Sequence, residues 1–374
     1  MKLFDVYPLY NVTPVSAKGI VVTDDKGQDY LDFYGGHAVI SIGHTHPHYV
    51  ERLKNQLDKI GFYSNAVQNP LQVELAEKLG VVSGCEDYNL FLCNSGAEAN
   101  ENALKMASFV TKKSKVIAFN NGFHGRTSAA VAATDNPSIN AELNQQHEVV
   151  FIDLNDIKAF EREISKNVCA VIVEAIQGVG GLDEPTTDFL QKVAALCKEN
   201  DALLIADEVQ CGFGRSGKFF GFQHHNIQPD IISIAKGMGN GFPVGGVLIH
   251  ESIKAKYGML GTTFGGNHLA CVATLAVLEV IENENLITNA QELGVYFNEK
   301  AKEIPQVKRV KGRGLMLGLE FDFQVADLRK KLIHEQHLFT GGAKDKTVLR
   351  ILPALNITKQ DLDMFFTALK TVLS

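Results

Sequence analysis

Residues Ala202–Val209 read ALLIADEV, and Ile231–Lys236 read IISIAK. Both runs are short, rich in branched aliphatic residues, and apolar at odd and even positions alike. A strand with one wet face alternates. A strand apolar on both faces needs cover on both, as inside a mostly parallel sheet flanked by helices. Working outward, similar runs occur at YNLFLC (from Tyr88), KVIAF (from Lys115), EVVFI (from Glu148), VCAVIVEA (from Val168) and VGGVLI (from Val244). Helical stretches separate them. In TTDFLQKVAALCKEN, Phe189, Val193, Leu196 and Cys197 recur at helical spacing behind a threonine cap. The expectation is an α/β fold with a mostly parallel seven-stranded sheet.

A long apolar helix, roughly Leu269–Glu284, leads into a different pattern: strand GLMLGLEF, helix VADLRKKLIHEQ, strand TVLRILP and helix TKQDLDMFFTALKTVL. This predicts a smaller α+β domain over residues 269–374, after a large domain over 41–268. Residues 1–40, with Pro8, Pro14 and GIVVTDDKGQDYLDF, are too few for a domain and are expected to join the small one.

The 374 residues carry a formal charge of -7, which gives no general basic field for nucleic acid or an anionic membrane. Six scattered cysteines, with no CxxC pair, read as reduced core thiols of a cytoplasmic protein rather than disulfides or a zinc site. MKLFDVYPLY lacks the apolar core of a signal peptide. GHTHPHY sets His44, His46 and His48 at alternate positions, but Pro47 favours a turn before a helix, and no other ligand cluster accompanies them. GFGRSGK fails the P-loop pattern because Phe219 replaces the magnesium-binding hydroxyl, and GMGNGF fails the dinucleotide pattern because Phe242 replaces the third glycine.

Ligands of open α/β sheets collect beyond the carboxyl ends of the strands. After YNLFLC comes NSGAEANE, which opens a helix and suits either an anion or a plain cap. After KVIAFNN comes GFHGRTSAA, which a surface loop explains nearly as well. After ALLIA stand Asp207 and Glu208, carboxylates in need of partners. After IISIA stands Lys236. A desolvated lysine there is a nucleophile toward a carbonyl, although a snorkelling lysine would look the same. Taken in order, a phosphate-binding helix start, a stacking phenylalanine, an aspartate for a ring nitrogen and a lysine for a Schiff base make up a pyridoxal-phosphate site.

On DDKGQDYLDFYGG, GHTHP, SGAEANE, FHGRT, EAIQGVGG, IADEVQCGFGRSG, PDIISIAKGMGNGFPVG, TTFGGNHLAC, GRGLMLG and VLRILPAL, the chain resembles the class III (ω-amino acid) aminotransferases of the fold type I pyridoxal-phosphate superfamily. Within that family it is most similar to the acetylornithine and succinylornithine branch. The resemblance implies transfer of the δ-amino group of an N2-acylated ornithine to 2-oxoglutarate in arginine biosynthesis. The alternatives are another ω-aminotransferase acting on ornithine, 4-aminobutyrate or a diamine, an aminomutase on the same scaffold, or a binding protein that keeps the fold without chemistry.

It also implies roles for matching residues. Lys236 holds the cofactor covalently and shuttles the proton, and Asp207 pairs with the pyridine nitrogen. Gln210 reaches the phenolic oxygen, and Val209 and Phe123 sandwich the ring. Ser95, Gly96 and Ala97 hold phosphate, helped by Thr263 from the other subunit of a homodimer. Arg126, with Tyr7 nearby, and Arg350 take substrate carboxylates, and Glu174 supports the site. No metal is implied. The chain departs from the family at Ala175 and Val179, where relatives commonly read EPIQGEGG, and at His268, where they read GGNPL. Without the second glutamate, Arg350 is expected to keep its bare charge and to favour a donor with an extra carboxylate.

Overall fold

The computed structural model describes residues 1–374. It enters through three short strands, β1 (Pro14–Lys18), β2 (Val21–Asp24) and β3 (Asp29–Asp32), paired antiparallel. The turn between β2 and β3 is set by Asp24, whose Oδ1 accepts the N–H groups of Lys26 and Gln28 at 2.9 Å each, with Gly27 at φ 78°.

The central sheet comprises β4 (Tyr88–Cys93), β5 (Lys115–Phe119), β6 (Val149–Ile152), β7 (Val168–Val173), β8 (Leu203–Asp207), β9 (Ile231–Ile234) and β10 (Gly245–His250). Its order is β4-β10-β9-β8-β7-β5-β6. β10 runs antiparallel to both neighbours, and every other pairing is parallel. Of the strands read as apolar on both faces, the central β7 and β9 are buried at every residue, whereas β4 and β6, at the outer ends of the sheet, are only partly buried. The intervening helices start on side-chain caps. Ser95 Oγ accepts Glu98 N–H at the helix Gly96–Thr111, and Thr186 Oγ1 accepts Phe189 N–H at Thr187–Glu199. Because β4 and β9 are both antiparallel to β10, the carboxyl ends of β4, β5, β7, β8 and β9 share one edge.

The helix His268–Asn283 is apolar nearly all round and lies in the main core, with Leu275, Val277, Leu278 and Ile281 at most 1% exposed. Burying each such side chain contributes about 1.5 to 3 kcal/mol. No helix is long and apolar enough to cross a membrane. The C-terminal part forms β11 (Arg309–Arg313), β12 (Met316–Glu320), β13 (Leu338–Phe339), β14 (Gly341–Gly342) and β15 (Val348–Ile351), with helices Ala326–Gln336 and Lys359–Leu373. β13 pairs in parallel with β3, so the first strands and the last third of the chain share a sheet, and Phe33 packs 5.1 Å from Phe365. All six cysteines are buried free thiols.

Candidate active site

A cavity of about 340 Å3 opens at the shared carboxyl edge of the sheet. The turns after β4, β5, β7 and β9 supply Ser95, Phe123, Glu174 and Lys236 to its wall, and the last residue of β8 supplies Asp207. Gly96, Ala97, Arg126, Val209 and Gln210 also line it, so ten residues singled out from the sequence converge on one space.

Asp207 is the most constrained of them. Its Oδ2 accepts from His124 Nδ1 and from Asn100 Nδ2, both at 2.7 Å, and its Oδ1 accepts from Val209 N–H at 3.0 Å. Asn100 is itself fixed, donating to His124 O and accepting from Ser233 Oγ. Oδ2 is thereby saturated, while Oδ1 keeps a lone pair for a further donor. Burial opposes charge on His124, but the hydrogen bond and charge of Asp207 outweigh it and raise the imidazole above its ordinary value. Neither Asn100 nor His124 was assigned a role from the sequence. The signal for His124 was its place in GFHGRT, and Asn100 looked like any helix-interior polar residue.

Lys236 follows β9 in the left-handed region at φ 49°, a conformation that costs a non-glycine residue free energy and that tends to mark functional positions. Burial draws its ammonium below the usual lysine range, against the attraction of Asp207 and Glu174. Glu174 accepts Phe123 N–H at 3.0 Å and Gly178 N–H at 2.9 Å. Burial pushes its carboxyl up to about 7. Glu208, read beside Asp207 from the sequence, turns away to accept Gly221 N–H at 2.7 Å and Phe222 N–H at 2.8 Å.

The start of the helix Gly96–Thr111 lines the cavity through Ser95, Gly96 and Ala97, which brings the positive end of the helix dipole to its wall. A Cβ on Gly96 would stand 2.5 Å from Val209 Cγ1, and one on Gly125, at φ 139°, 2.7 Å from Ala97 Cβ. The cradle therefore needs glycine at both places. An anion-binding helix start, a buried aspartate with one open lone pair and a desolvated lysine, joined in one cavity, fit pyridoxal 5'-phosphate.

Five of the singled-out residues lie outside the cavity lining in this chain. Tyr7 is exposed in the segment before β1, and Thr263 is exposed in the loop before His268. Arg350, on β15, is 3% exposed. Its Nε donates to Gly342 O at 2.6 Å and its Nη1 to Gly178 O at 2.7 Å, with Gln210 Oε1 at 3.4 Å and the Tyr34 ring 5.8 Å away. Val179 follows Gly178, and its carbonyl accepts Lys344 N–H. Arg350 makes no ion pair with a carboxylate, and its N–H groups are taken up by carbonyl and amide oxygens. His268 begins its helix, after the Asn267 cap.

Other sequence signals resolve structurally. His44, His46 and His48 turn to three different carboxylates, Asp32, Glu284 and Glu279. Arg215, inside the P-loop-like GFGRSGK, is buried and donates to the carbonyls of Ile40, Leu315 and Pro353.

Known proteins resemble the chain from end to end. The family described as Aminotransferase class-III matches residues 6–373. The chain is 41% identical to the acetylornithine aminotransferase of Aquifex aeolicus, over 99% of each chain. It is 39% identical to that of Bacillus subtilis, over 100% of this chain and 97% of the relative. Among solved structures, the ornithine aminotransferase of Toxoplasma gondii ME49 superposes with a TM-score of 0.90 at 30% identity, covering 98% of this chain and 91% of that one. An S-selective transaminase from Arthrobacter gives 0.91 at 25% identity, covering 100% and 95%. The chain belongs to the class-III aminotransferases. It is a fold type I enzyme that uses pyridoxal 5'-phosphate. In this aminotransferase Lys236, Asp207 and the turn Ser95–Ala97 line one cavity.

Proposed function

We propose that this aminotransferase moves the δ-amino group of N2-acetylornithine to 2-oxoglutarate, giving N-acetylglutamate 5-semialdehyde and glutamate, a reaction of arginine biosynthesis. The observation that carries the reading is the end-to-end likeness to relatives named acetylornithine aminotransferase in bacteria and archaea, at 38% to 41% identity for the first four.

The residues then divide the work. Backbone N–H groups of Gly96 and Ala97 with Ser95 bind phosphate, and Val209 and Phe123 close on the two ring faces. Asp207 presents Oδ1 to the ring nitrogen. Its partners His124 and Asn100 keep it from turning. Gln210 bonds the phenolic oxygen. Bound there, the cofactor supplies an electron sink for the carbon that loses its proton. Lys236 Nζ holds the cofactor at rest. As the free amine, which burial favours, it takes the proton from substrate carbon and returns it one step later. Arg126, in the cavity lining, and Arg350, which touches the lining residue Gln210 from behind, are assigned the substrate carboxylates, with Tyr7 as a further candidate. Glu174 supports the wall between them.

Two copies share these sites in the reading we favour, with Thr263 of one reaching the phosphate of the other. Exposed Phe62, Tyr63 and Phe264, on two loops joined by Asn65 Nδ2 donating to Thr262 O, offer the apolar contact such a dimer needs. The large domain is taken as 41–268 and the small one as 269–374 with residues 1–40, in a cytoplasmic enzyme. A second donor, N2-succinylornithine, is favoured by one observation: Arg350 lacks a carboxylate partner.

Assaying N2-acetylornithine, N2-succinylornithine, ornithine and 4-aminobutyrate with 2-oxoglutarate tests the reading. An acylated ornithine is expected to give the highest kcat/KM. Preference for free ornithine or 4-aminobutyrate would overturn it, and turnover without 2-oxoglutarate would point to an aminomutase.

A further inference from the structure

Arg350 is a buried cation whose hydrogen-bonded acceptors, Gly342 O, Gly178 O and Gln210 Oε1, are all neutral. Carbonyls satisfy its N–H groups without cancelling its charge, so the charge that balances it governs how strongly it draws an anion. One hydrogen-bonded route to a carboxylate exists. Gly178, whose carbonyl receives Arg350, donates its own N–H to Glu174 Oε2 at 2.9 Å. The other carboxylate oxygen is pinned by Phe123 N–H, and the side chain is 6% exposed in the cavity wall. Glu174 therefore stands fixed between the lysine's cavity and the arginine.

We infer that Glu174 is the counter-charge of Arg350, acting through Gly178 to set how tightly the guanidinium holds a substrate carboxylate. It is a positioning residue, and the inference rests on the reading of Arg350 as a carboxylate site. The groups bearing on Glu174 come from every side: His124 from the turn after β5, Asp207 at the end of β8, Cys211 beyond it, Lys236 after β9 and Arg350 on β15. Burial lifts its carboxyl to about 7, with His124 pulling it back and Asp207 adding to the rise. Its charge is present above that value and absent below it. A carboxylate arriving at Arg350 opposes this charge, so binding takes up a proton near neutrality and weakens as pH rises.

Glutarate, which carries the two carboxylates of 2-oxoglutarate but no oxo group, reads this without turnover. Its affinity for the amine form of the holoenzyme is measured calorimetrically at about pH 6 and about pH 8, in buffers of different ionisation enthalpy. Wild type is expected to bind about three- to tenfold more weakly at the higher pH and to take up a proton on binding near pH 7. Glu174→Gln should bind at both values as wild type does at the lower one, and Glu174→Asp should restore the slope. A flat wild-type profile, or an unchanged slope in Glu174→Gln, overturns the inference. If Glu174→Gln does not fold, absence of proton uptake by wild type overturns it equally. Failure of every acylornithine donor would sink the proposed reaction and leave this slope readable. A flat slope with normal turnover would sink the counter-charge alone.

Discussion

His124 Nδ1 donates to Asp207 Oδ2 across 2.7 Å, with the two side chains only 1% and 3% exposed. A buried hydrogen bond to a charged group is worth about 1.5 to 3 kcal/mol. Here it fixes which aspartate oxygen faces the cavity. His124→Asn is therefore expected to lower kcat about ten- to a hundredfold, with a smaller change in KM for the donor. Its pH signature is separable. The folded imidazole is raised above 6.5, so its pairing contributes full stability below that value and loses it as pH rises through the raised one. Urea unfolding at several pH values should show this slope in wild type and not in His124→Asn.

Lys236→Ala should abolish transamination, by at least the roughly hundred- to ten-thousandfold that general acid–base catalysis contributes. Borohydride reduction followed by peptide mapping should label Lys236 in wild type and no residue in the variant. Labelling of another lysine would displace Lys236 from its role.

Gly96→Ala tests the phosphate cradle. Its Cβ would meet Val209 Cγ1 at 2.5 Å, and Val209 belongs to a turn held by Asp207, so the valine cannot simply withdraw. The expected outcome is a roughly tenfold or greater rise in the cofactor dissociation constant, read by absorbance titration, with the fold retained. Unchanged affinity would mean that the cradle lies elsewhere.

Much of this was legible before the fold was known, for a physical reason. Strands apolar on both faces, such as VCAVIV, admit few architectures, and an architecture of that kind puts strand-end residues together. Lys236, Asp207 and Ser95 therefore announced themselves by standing at or just past strand ends. Asn100 and His124 did not, because their function lies in what they touch, and Asn100 and Asp207 are 107 positions apart in the chain. The same limit applies to Glu208, which stands beside Asp207 in sequence yet points to the opposite side. The carbonyl cage of Arg350 was invisible too. It depends on the loop containing Gly178 meeting β14, and no local pattern encodes that approach.

Arg215 makes a stability prediction. Its guanidinium, 2% exposed, gathers carbonyls from Ile40, Leu315 and Pro353, which lie on three separate stretches of chain. Arg215→Ala leaves these acceptors buried and unpaired, at about 1 to 3 kcal/mol each where water cannot enter. A loss of about 3 to 5 kcal/mol in chemical denaturation is expected. A loss below about 1 kcal/mol would show that water replaces the guanidinium.

Donor choice turns on the loop that carries Gly178 and Val179. Arg350 is fixed by the carbonyl of Gly178, and residue 179 stands next in the chain, where valine offers no charge. A guanidinium with no carboxylate in direct contact, its nearest one acting only through Gly178, still favours a donor that brings one, so N2-succinylornithine should gain over N2-acetylornithine. A charge-assisted hydrogen bond at a desolvated site is worth about 1.5 to 3 kcal/mol, or about ten- to a hundredfold in kcat/KM. Val179→Glu supplies an internal carboxylate and should shift the succinyl-to-acetyl ratio toward acetyl by about that factor. It should also weaken the 2-oxoglutarate half-reaction, because the incoming α-carboxylate must then displace a bound one. Measured kcat/KM for both donors in both enzymes decides the matter. A ratio that Val179→Glu leaves unmoved means that the acyl group is read by other residues, and Arg350 serves 2-oxoglutarate alone.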